Sequence, residues 1–546
     1  MGSEMPWIQN LKTHERTQPM KKIYGIILAL IILVIAWNFF GPKKFHSHPE
    51  KEFRFVIASE PPTLDWSLAT DNVSADILFN LMEGLIQFDS DLNVKPALAE
   101  RWDISSDGKR YTFHLRSDAL WTDGKPILAS HFVDGWERLL NPKTASDYAY
   151  FLFDVKNAKE YNAGKLTDFD TVGIHAQDDH TLVVDLWHPA SYFLKIPFFW
   201  VTFPIRKDII EQFKDAWTDP KNIVTCGPFR LKEWKHDYSV TLEANPSYYG
   251  EKPKISTATA YIINEDSTAL SLYDTNKVDL IRRIPPLLIS HYKNLADYKN
   301  SPFLRGYYYG MNVKKKPFTD SRIRKAFSLA IDRSQLSTIL QGNQIPTSSW
   351  IPKGMFGYDE TIGLKFDKEK AQLLLAQAGY PKGEHFPSIK MVYDTRDDNK
   401  IIAEFLQSQW KEHLNVTVSI DNQEWKVHLK MLETNPPELW RLGWGADFPD
   451  PDNFMNLFTS YSGNNHTQWK NKEYDQLIEE AAKELDSQKR LTLYQKAQHL
   501  LTEEDVPIIP LFIDSQNVLL KSYVKGYTLN PMSNNILKNI SISKND

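Results

Sequence analysis

The chain has 546 residues, with 64 Lys and Arg against 69 Asp and Glu for a net charge of −5, a balance that argues against a general nucleic-acid binder. At roughly 100–200 residues per domain, this length calls for about three or four domains. The 42% hydrophobic and 24% charged content excludes wholesale disorder, and one cysteine, Cys226, excludes an intramolecular disulfide and any site built from several thiolates. Aromatic residues are plentiful (16 Trp, 24 Tyr, 29 Phe), which points to a large amphipathic binding surface as well as a core.

Ile23 to Phe40 is a run of 18 residues without a charge. As a helix it would extend about 27 Å, close to the hydrocarbon thickness of a bilayer. Lys12, Arg16, Lys21 and Lys22 precede it and Lys43 and Lys44 follow, which places the N-terminus inside and the body outside the cytoplasm. A secretory signal is the competing interpretation. No A-x-A-like cleavage site follows the run, so a membrane anchor is favoured, and both alternatives export the body. No later run is apolar for a membrane-spanning length.

In chain order, Phe53 to Ile57 alternates as a strand, and Asn72 to Met82 carries apolar residues at helical spacing. Tyr111 to Leu115 alternates after the turn Ser106-Asp107-Gly108-Lys109, a hairpin pattern, and Thr181 to Leu186 is a further strand. Thr319-Asp320 opens a helix at Ser321 that runs through Ile323, Phe327, Leu329 and Ala330. Asp367 opens another over Lys368 to Ala378, stopped by Gly379 with Pro381 beyond. Two amphipathic helices, Lys472 to Leu485 and Gln488 to Leu501, follow near the end. Strands and helices alternate throughout, so the class is α/β or α+β.

Catalytic patterns are scarce. There is no phosphate loop, zinc-protease helix, nucleophile elbow or dinucleotide fingerprint. His46 and His48 lack a third ligand and belong to a solvated linker, and Cys226 has no activating histidine nearby, so it reads as an inert thiol. No metal and no cofactor is expected. The stretch from Arg441 to Phe454, with Trp444, Gly445, Asp447, Asp450 and Asp452, is the most informative in the chain. Asp447 beside an indole and flexible glycines can receive an ammonium, and Arg441 offers a fork for a carboxylate, a combination suited to a zwitterion such as a short peptide. A surface Asp–Arg pair in a turn is the plainer alternative, and Asp447 with Asp450 as an exported glycosidase pair is the remotest.

Several stretches together resemble the oligopeptide- and dipeptide-binding proteins of ABC peptide importers. They are Leu98 to Trp102 with Ser106 to Arg116, Trp121 to Pro126, Phe132 to Arg138, Gly227 to Trp234, Asn245 to Tyr249, Pro317 to Arg333, Ala371 to Gly379, Asn422 to Trp425, and Trp444 to Phe454. The matched blocks run in order over about residues 53–530, with the oligopeptide-binding branch nearest.

The resemblance implies a two-lobed periplasmic-binding-protein-like fold of type II, α/β in class, with an additional inserted domain. Lobe I would comprise 50–83, 206–304 and 515–546, the inserted domain II 84–205, and lobe III 305–514. A cytoplasmic segment, 1–22, and the anchor, 23–40, would precede them. The implied activity is binding without chemistry, with short peptides enclosed in an interlobe cleft and the loaded monomer docking on ABC permease subunits in the inner membrane. By the same resemblance Asp447 holds the peptide ammonium and Tyr148 lies near it. Trp425 and Tyr308 are cleft aromatics, the Trp444-Gly445 backbone pairs with the ligand, and Asn72 faces it. Relatives of this architecture also bind cell-wall peptides, glutathione, haem or metal chelates.

Two departures stand out. The family's C-terminus-binding histidine falls at Asn399 and its lysine near Leu340–Gln341, so Arg282 and Arg283 become candidates for the ligand's C-terminus. The two cysteines that those relatives carry near the cleft are here Arg305 and Gly445.

Overall fold

The computed structural model describes residues 51–543. The apolar run at 23–40, the segment before it and the histidine pair at 46 and 48 lie outside the described residues. Among the described residues no helix is long and apolar enough to cross a membrane.

The alternation in the first strand sets its place. In β1 (Glu52–Ile57), Phe53, Phe55 and Ile57 point inward and are buried, and the residues between them are part-exposed. Burying each such side chain contributes about 1.5–3 kcal/mol. Helix α1 (Asn72–Leu81) begins where Asp71 accepts hydrogen bonds from the backbone of Val73 and Ser74. Its Ile77, Leu78 and Leu81 are buried. Residues 99–185 supply a separate antiparallel sheet of four strands, β2 (Ala99–Ile104), β3 (Arg110–Leu115), β4 (Ile174–Asp178) and β5 (Thr181–Asp185), in the spatial order β2-β3-β5-β4.

The largest sheet has eleven strands among the described residues. It is built from β1 together with β6 (Phe229–Lys235), β7 (Ser239–Ala244), β8 (Thr257–Ile262), β9 (Leu280–Ile281), β10 (Tyr298–Met311), β11 (Ile389–Asp394), β12 (Val418–Gln423), β13 (Leu439–Gly445) and β14 (Ile508–Leu520). Their order is β12-β11-β13-β10-β14-β9-β1-β8-β7-β6, with Ile345–Pro346 pairing β14. Strands β10 and β14 are the longest in the sheet, and they lie antiparallel from Tyr298↔Leu519 to Gly310↔Ile508. Their register shifts between Pro302 and Gly306, where proline has no N–H to give the ladder. Parallel pairs β1–β8 and β11–β12 flank this central pair, so the class is mixed α/β.

The predicted helices form with their caps. Asp320 accepts from Arg322 N ahead of α2 (Ser321–Leu329), and Asp367 from Lys370 N ahead of α3 (Lys368–Gln377). The sequence periodicity did not single out the 18-residue α4 (Asp397–Leu414). Helix α5 (Trp425–Thr434) and the short α6 (Pro451–Met455) flank β13. The two late helices are α7 (Lys472–Lys483) and α8 (Ser487–His499), the second capped by Asp486. Cys226 is 1% exposed and burial pushes its thiol far above the usual range, which fits an inert core residue.

Candidate functional site

Strand β13 ends at Gly445, and the chain turns through Asp447 into α6. The turn is fixed by its residue types. Pro451 occupies the first helical turn and Asp450 caps it by accepting from Asp452 N at 3.0 Å. From inside the helix Asn453 ties the loop together. Its Oδ1 accepts from Trp444 Nε1 at 3.0 Å and from Asp447 N at 3.1 Å, and its Nδ2 donates to Asp447 Oδ2 at 3.1 Å.

Among the described residues no cation pairs with Asp447. Burial pushes its carboxyl up to about 7, offset only in part by the Asn453 hydrogen bond. The surroundings are aromatic. Tyr148 lies 5.2 Å from Phe151, 5.3 Å from Phe199 and 5.9 Å from Tyr150, and Phe151 also meets Phe448 edge-on. The hydroxyls of Tyr148 and Tyr150 are held well above the usual phenol range, first by burial and then by the charge of Asp447. Asp71 adds negative charge at Tyr148. A desolvated carboxylate without a cation takes either a proton or a cationic ligand.

The edge of β13 completes the site. Strand β11 pairs with β13 only at Leu439 and Trp440, so from Arg441 to Gly445 that edge has no neighbouring strand among the described residues. His428 of α5 reaches the Arg441 carbonyl at 2.8 Å, and nothing lies within 4 Å of where a Cβ on Gly445 would stand. An unpaired strand edge with clearance above it accepts an extended backbone.

The other sequence-derived residues divide. Trp444 is partly buried against the core, Asn72 is exposed in the first turn of α1, and Trp425 is 45% exposed on α5, its ring stacked on His428 at 6.2 Å. Tyr308 is a correction. It is wholly buried among Trp350, Phe458 and Trp440 at 4.9, 5.6 and 5.7 Å, so it is core and not a cleft aromatic. Arg441 is a second correction, since it is no free fork beside Asp447. It is 3% exposed, Nη1 donates to Asp394 at 2.8 Å, and its guanidinium lies 4.3 Å over the Tyr307 ring. Strand alternation also puts it on the face opposite Trp444.

Arg282 and Arg283 are committed elsewhere and do not present a free anion site. Arg282 pairs with Asp76 at 2.6 Å and with the Ser533 backbone and hydroxyl, while Arg283 pairs with Asp266 at 2.7 Å. Asn399 is buried between the Tyr307 hydroxyl and the Asp394 carbonyl. Asp450, the other half of the glycosidase alternative, is neutralised by Arg490 at 2.6 Å and Lys195 at 3.1 Å, so it does not form a carboxyl pair with Asp447.

The sequence reading missed Asn453 and Tyr150. Asn453 was signalled by its place just inside a Pro-started helix after the acidic loop, whereas Tyr150 had no local signal. Among the described residues no three His, Cys, Asp or Glu side chains gather into a metal-holding group.

Comparison with known proteins then supplies the family. Residues 93–466 match the model of "Bacterial extracellular solute-binding proteins, family 5 Middle". The chain belongs to this family. Within family 5 it is 35% identical to the periplasmic oligopeptide-binding protein OppA of Salmonella typhimurium, over 87% of this chain and 88% of that one. It is 34% identical to the probable deoxycholate-binding periplasmic protein YgiS of Escherichia coli, over 88% of this chain and 91% of that one. The crystal structure of Haemophilus influenzae OppA in complex with RPPGFSPFR superposes with a TM-score of 0.81 at 30% identity, covering 91% of this chain and 99% of that chain.

Proposed function

We propose that this family 5 chain is the solute-binding component of an ABC importer, which captures short peptides as a monomer and hands them to a membrane permease. The observation that carries the reading is Asp447, a half-buried carboxylate with no cation partner among the described residues, set just beyond the end of a strand edge open to an extended backbone. A peptide supplies both an ammonium for the carboxylate and a main chain for the edge. Deoxycholate, the ligand in the name of the Escherichia coli relative, has no cation to offer Asp447. The peptide-bound Haemophilus relative supports the same assignment.

In this reading the protein is two-lobed, with lobe I at 50–83, 206–304 and 515–546, an inserted domain at 84–205 and lobe III at 305–514. Support comes from β10 and β14, which pass from one half of the large sheet to the other and lose register between Pro302 and Gly306. The interruption is a natural place for a hinge. Because recognition runs through the backbone and the ammonium, side-chain preference is small. Calorimetry with tri- to pentapeptides of varied composition should show binding throughout. Failure of every peptide alongside binding of haem, a metal chelate or deoxycholate would sink the proposal.

The body is exported and tethered to the outer face of the inner membrane by residues 23–40, a reading supported by the apolar run and the lysines before it. Osmotic shock should leave the protein with the membrane fraction. Release of a shortened chain beginning between residues 38 and 48 would instead mark a cleaved signal.

A further inference from the structure

Resting on the peptide reading, we infer that Arg305 anchors the ligand's terminal carboxylate and so confines well-fitted ligands to about four residues or fewer. Three arginines gather on the Arg441 face of β13, and two of them bond a carboxylate directly, although Arg441 Nε is left without a partner. Arg441 donates to Asp394 at 2.8 Å, and Arg396 grips Asp398 with two bonds of 2.7 and 3.0 Å. Arg305 is the odd one. Its guanidinium makes no hydrogen bond among the described residues, and its ion pair is a loose one, Asp514 at 3.6 Å. Its side chain is still only 26% exposed. A partly buried fork of five donors that makes no close hydrogen bond and has one loose carboxylate partner is a site for a planar anion.

The backbone aims this fork at the ligand edge. Arg305 on β10 is the direct cross-strand partner of Gly445 on β13, so both side-chain positions lie on one face of the sheet. A Cβ on Gly443 would stand 3.3 Å from Arg305 Nε and 3.5 Å from Nη2, so the guanidinium lies across Gly443. The absence of side chains at Gly443 and Gly445 is what admits both the arginine and a ligand. Burial and the neighbouring charges of Arg441 and Arg396 lower the proton affinity of Arg305, partly offset by Asp514, a cluster that an added carboxylate relieves. The anion end is thus only loosely matched in charge, by Asp514, while Asp447 at the amine end has no cation partner among the described residues.

Chain geometry gives the length. From Gly443, under the guanidinium, the strand runs on to Gly445 and the chain then turns to Asp447, so the two lie at most about 14 Å apart, the length of four fully extended residues at ~3.4 Å each. A peptide with its ammonium at Asp447 and its carboxylate over Gly443 therefore spans no more than about four residues at ~3.3–3.6 Å each.

The test is calorimetry on the full chain with tri-, tetra- and hexa-alanine, each as free acid and as C-terminal amide. Wild type should prefer the tri- and tetrapeptide acids over their amides by about ten- to a hundredfold, the range for a charge-assisted bond. Arg305→Met should lose that preference, binding acids about as weakly as wild type binds amides, and Arg305→Lys should restore part of it. A melting curve for each variant separates lost contact from lost fold. If Arg305→Met keeps the acid-over-amide preference, the carboxylate anchor is elsewhere and the inference is overturned while the peptide reading stands. If wild type binds none of the peptides, both fall.

Discussion

Replacing Asp447 with alanine is expected to weaken peptide binding by about two to three orders of magnitude. The carboxylate has no cation of its own and one side-chain hydrogen bond, from Asn453 at 3.1 Å. Removing one member of a desolvated pair typically costs about 3–5 kcal/mol, because the other member stays buried and uncompensated. At about 1.4 kcal/mol per decade this gives the stated loss. An N-acetylated peptide should bind wild type poorly and lose little more with the mutant, since both changes remove the same interaction. If Asp447→Ala binds free and acetylated peptides as well as wild type does, the amine anchor lies elsewhere.

The same residue makes binding pH-dependent, and the sign is fixed. With the unliganded carboxyl pushed up to about 7 by burial, a proton competes with the ammonium below neutrality. Affinity should then fall by about tenfold per pH unit below about pH 7 and level off above about pH 8. Stability runs the other way. The folded carboxyl titrates above its unfolded value, so the unliganded protein loses stability as pH rises from about 4 through 7. Asp447→Asn should accordingly melt higher than wild type at pH 8 and match it near pH 4, and should bind peptide worse than wild type at pH 8 but about equally near pH 4, where the wild-type carboxyl is itself neutral. In the peptide reading, the charge that destabilises the empty protein is the one that holds the ligand's ammonium.

Local elements were legible in the sequence because their signals are local. Asp71, Asp320 and Asp367 each sit just before an apolar period and each caps a helix. The Gly, Trp and Pro residues around Asp447 likewise marked a rigid acidic loop. What escaped depends on partners distant in sequence. Strand β10 starts with polar residues and a proline and ends in Tyr307-Tyr308-Tyr309, which shows no alternation to assign a face. In the fold Tyr308 joins one core while Tyr307 and Tyr309 join another. Arg441 looked free because Asp394, which takes its charge, lies 47 residues earlier on a different strand. Arg305 stood out only as a departure from a family pattern, and its cross-strand place opposite Gly445 gave it meaning.

Asp450 shows the same non-local control and carries the largest expected effect on stability. From the sequence it shapes a turn. In the fold it is 1% exposed and joins two distant segments, Lys195 on one side and Arg490 on the other. Arg490 grips it through two bonds, 2.6 and 3.1 Å, and Lys195 bonds both its carboxylate and the Pro449 carbonyl. Burial alone would raise the Asp450 carboxyl, yet the two cations bring it below the usual range. Asp450→Ala leaves Arg490 buried without its partner and should cost about 3–5 kcal/mol, lowering the melting temperature by several degrees. Arg490→Met in the Asp450→Ala background should recover part of that loss, because the stranded charge is gone. Tyr192 stacked on Phe448 at 5.6 Å still holds the Lys195 segment against the loop that carries Asp447, so the folded fraction of Asp450→Ala should bind peptide within about tenfold of wild type. A mutant that keeps its melting temperature but loses peptide would make Asp450, and not Asp447, the ligand's carboxylate.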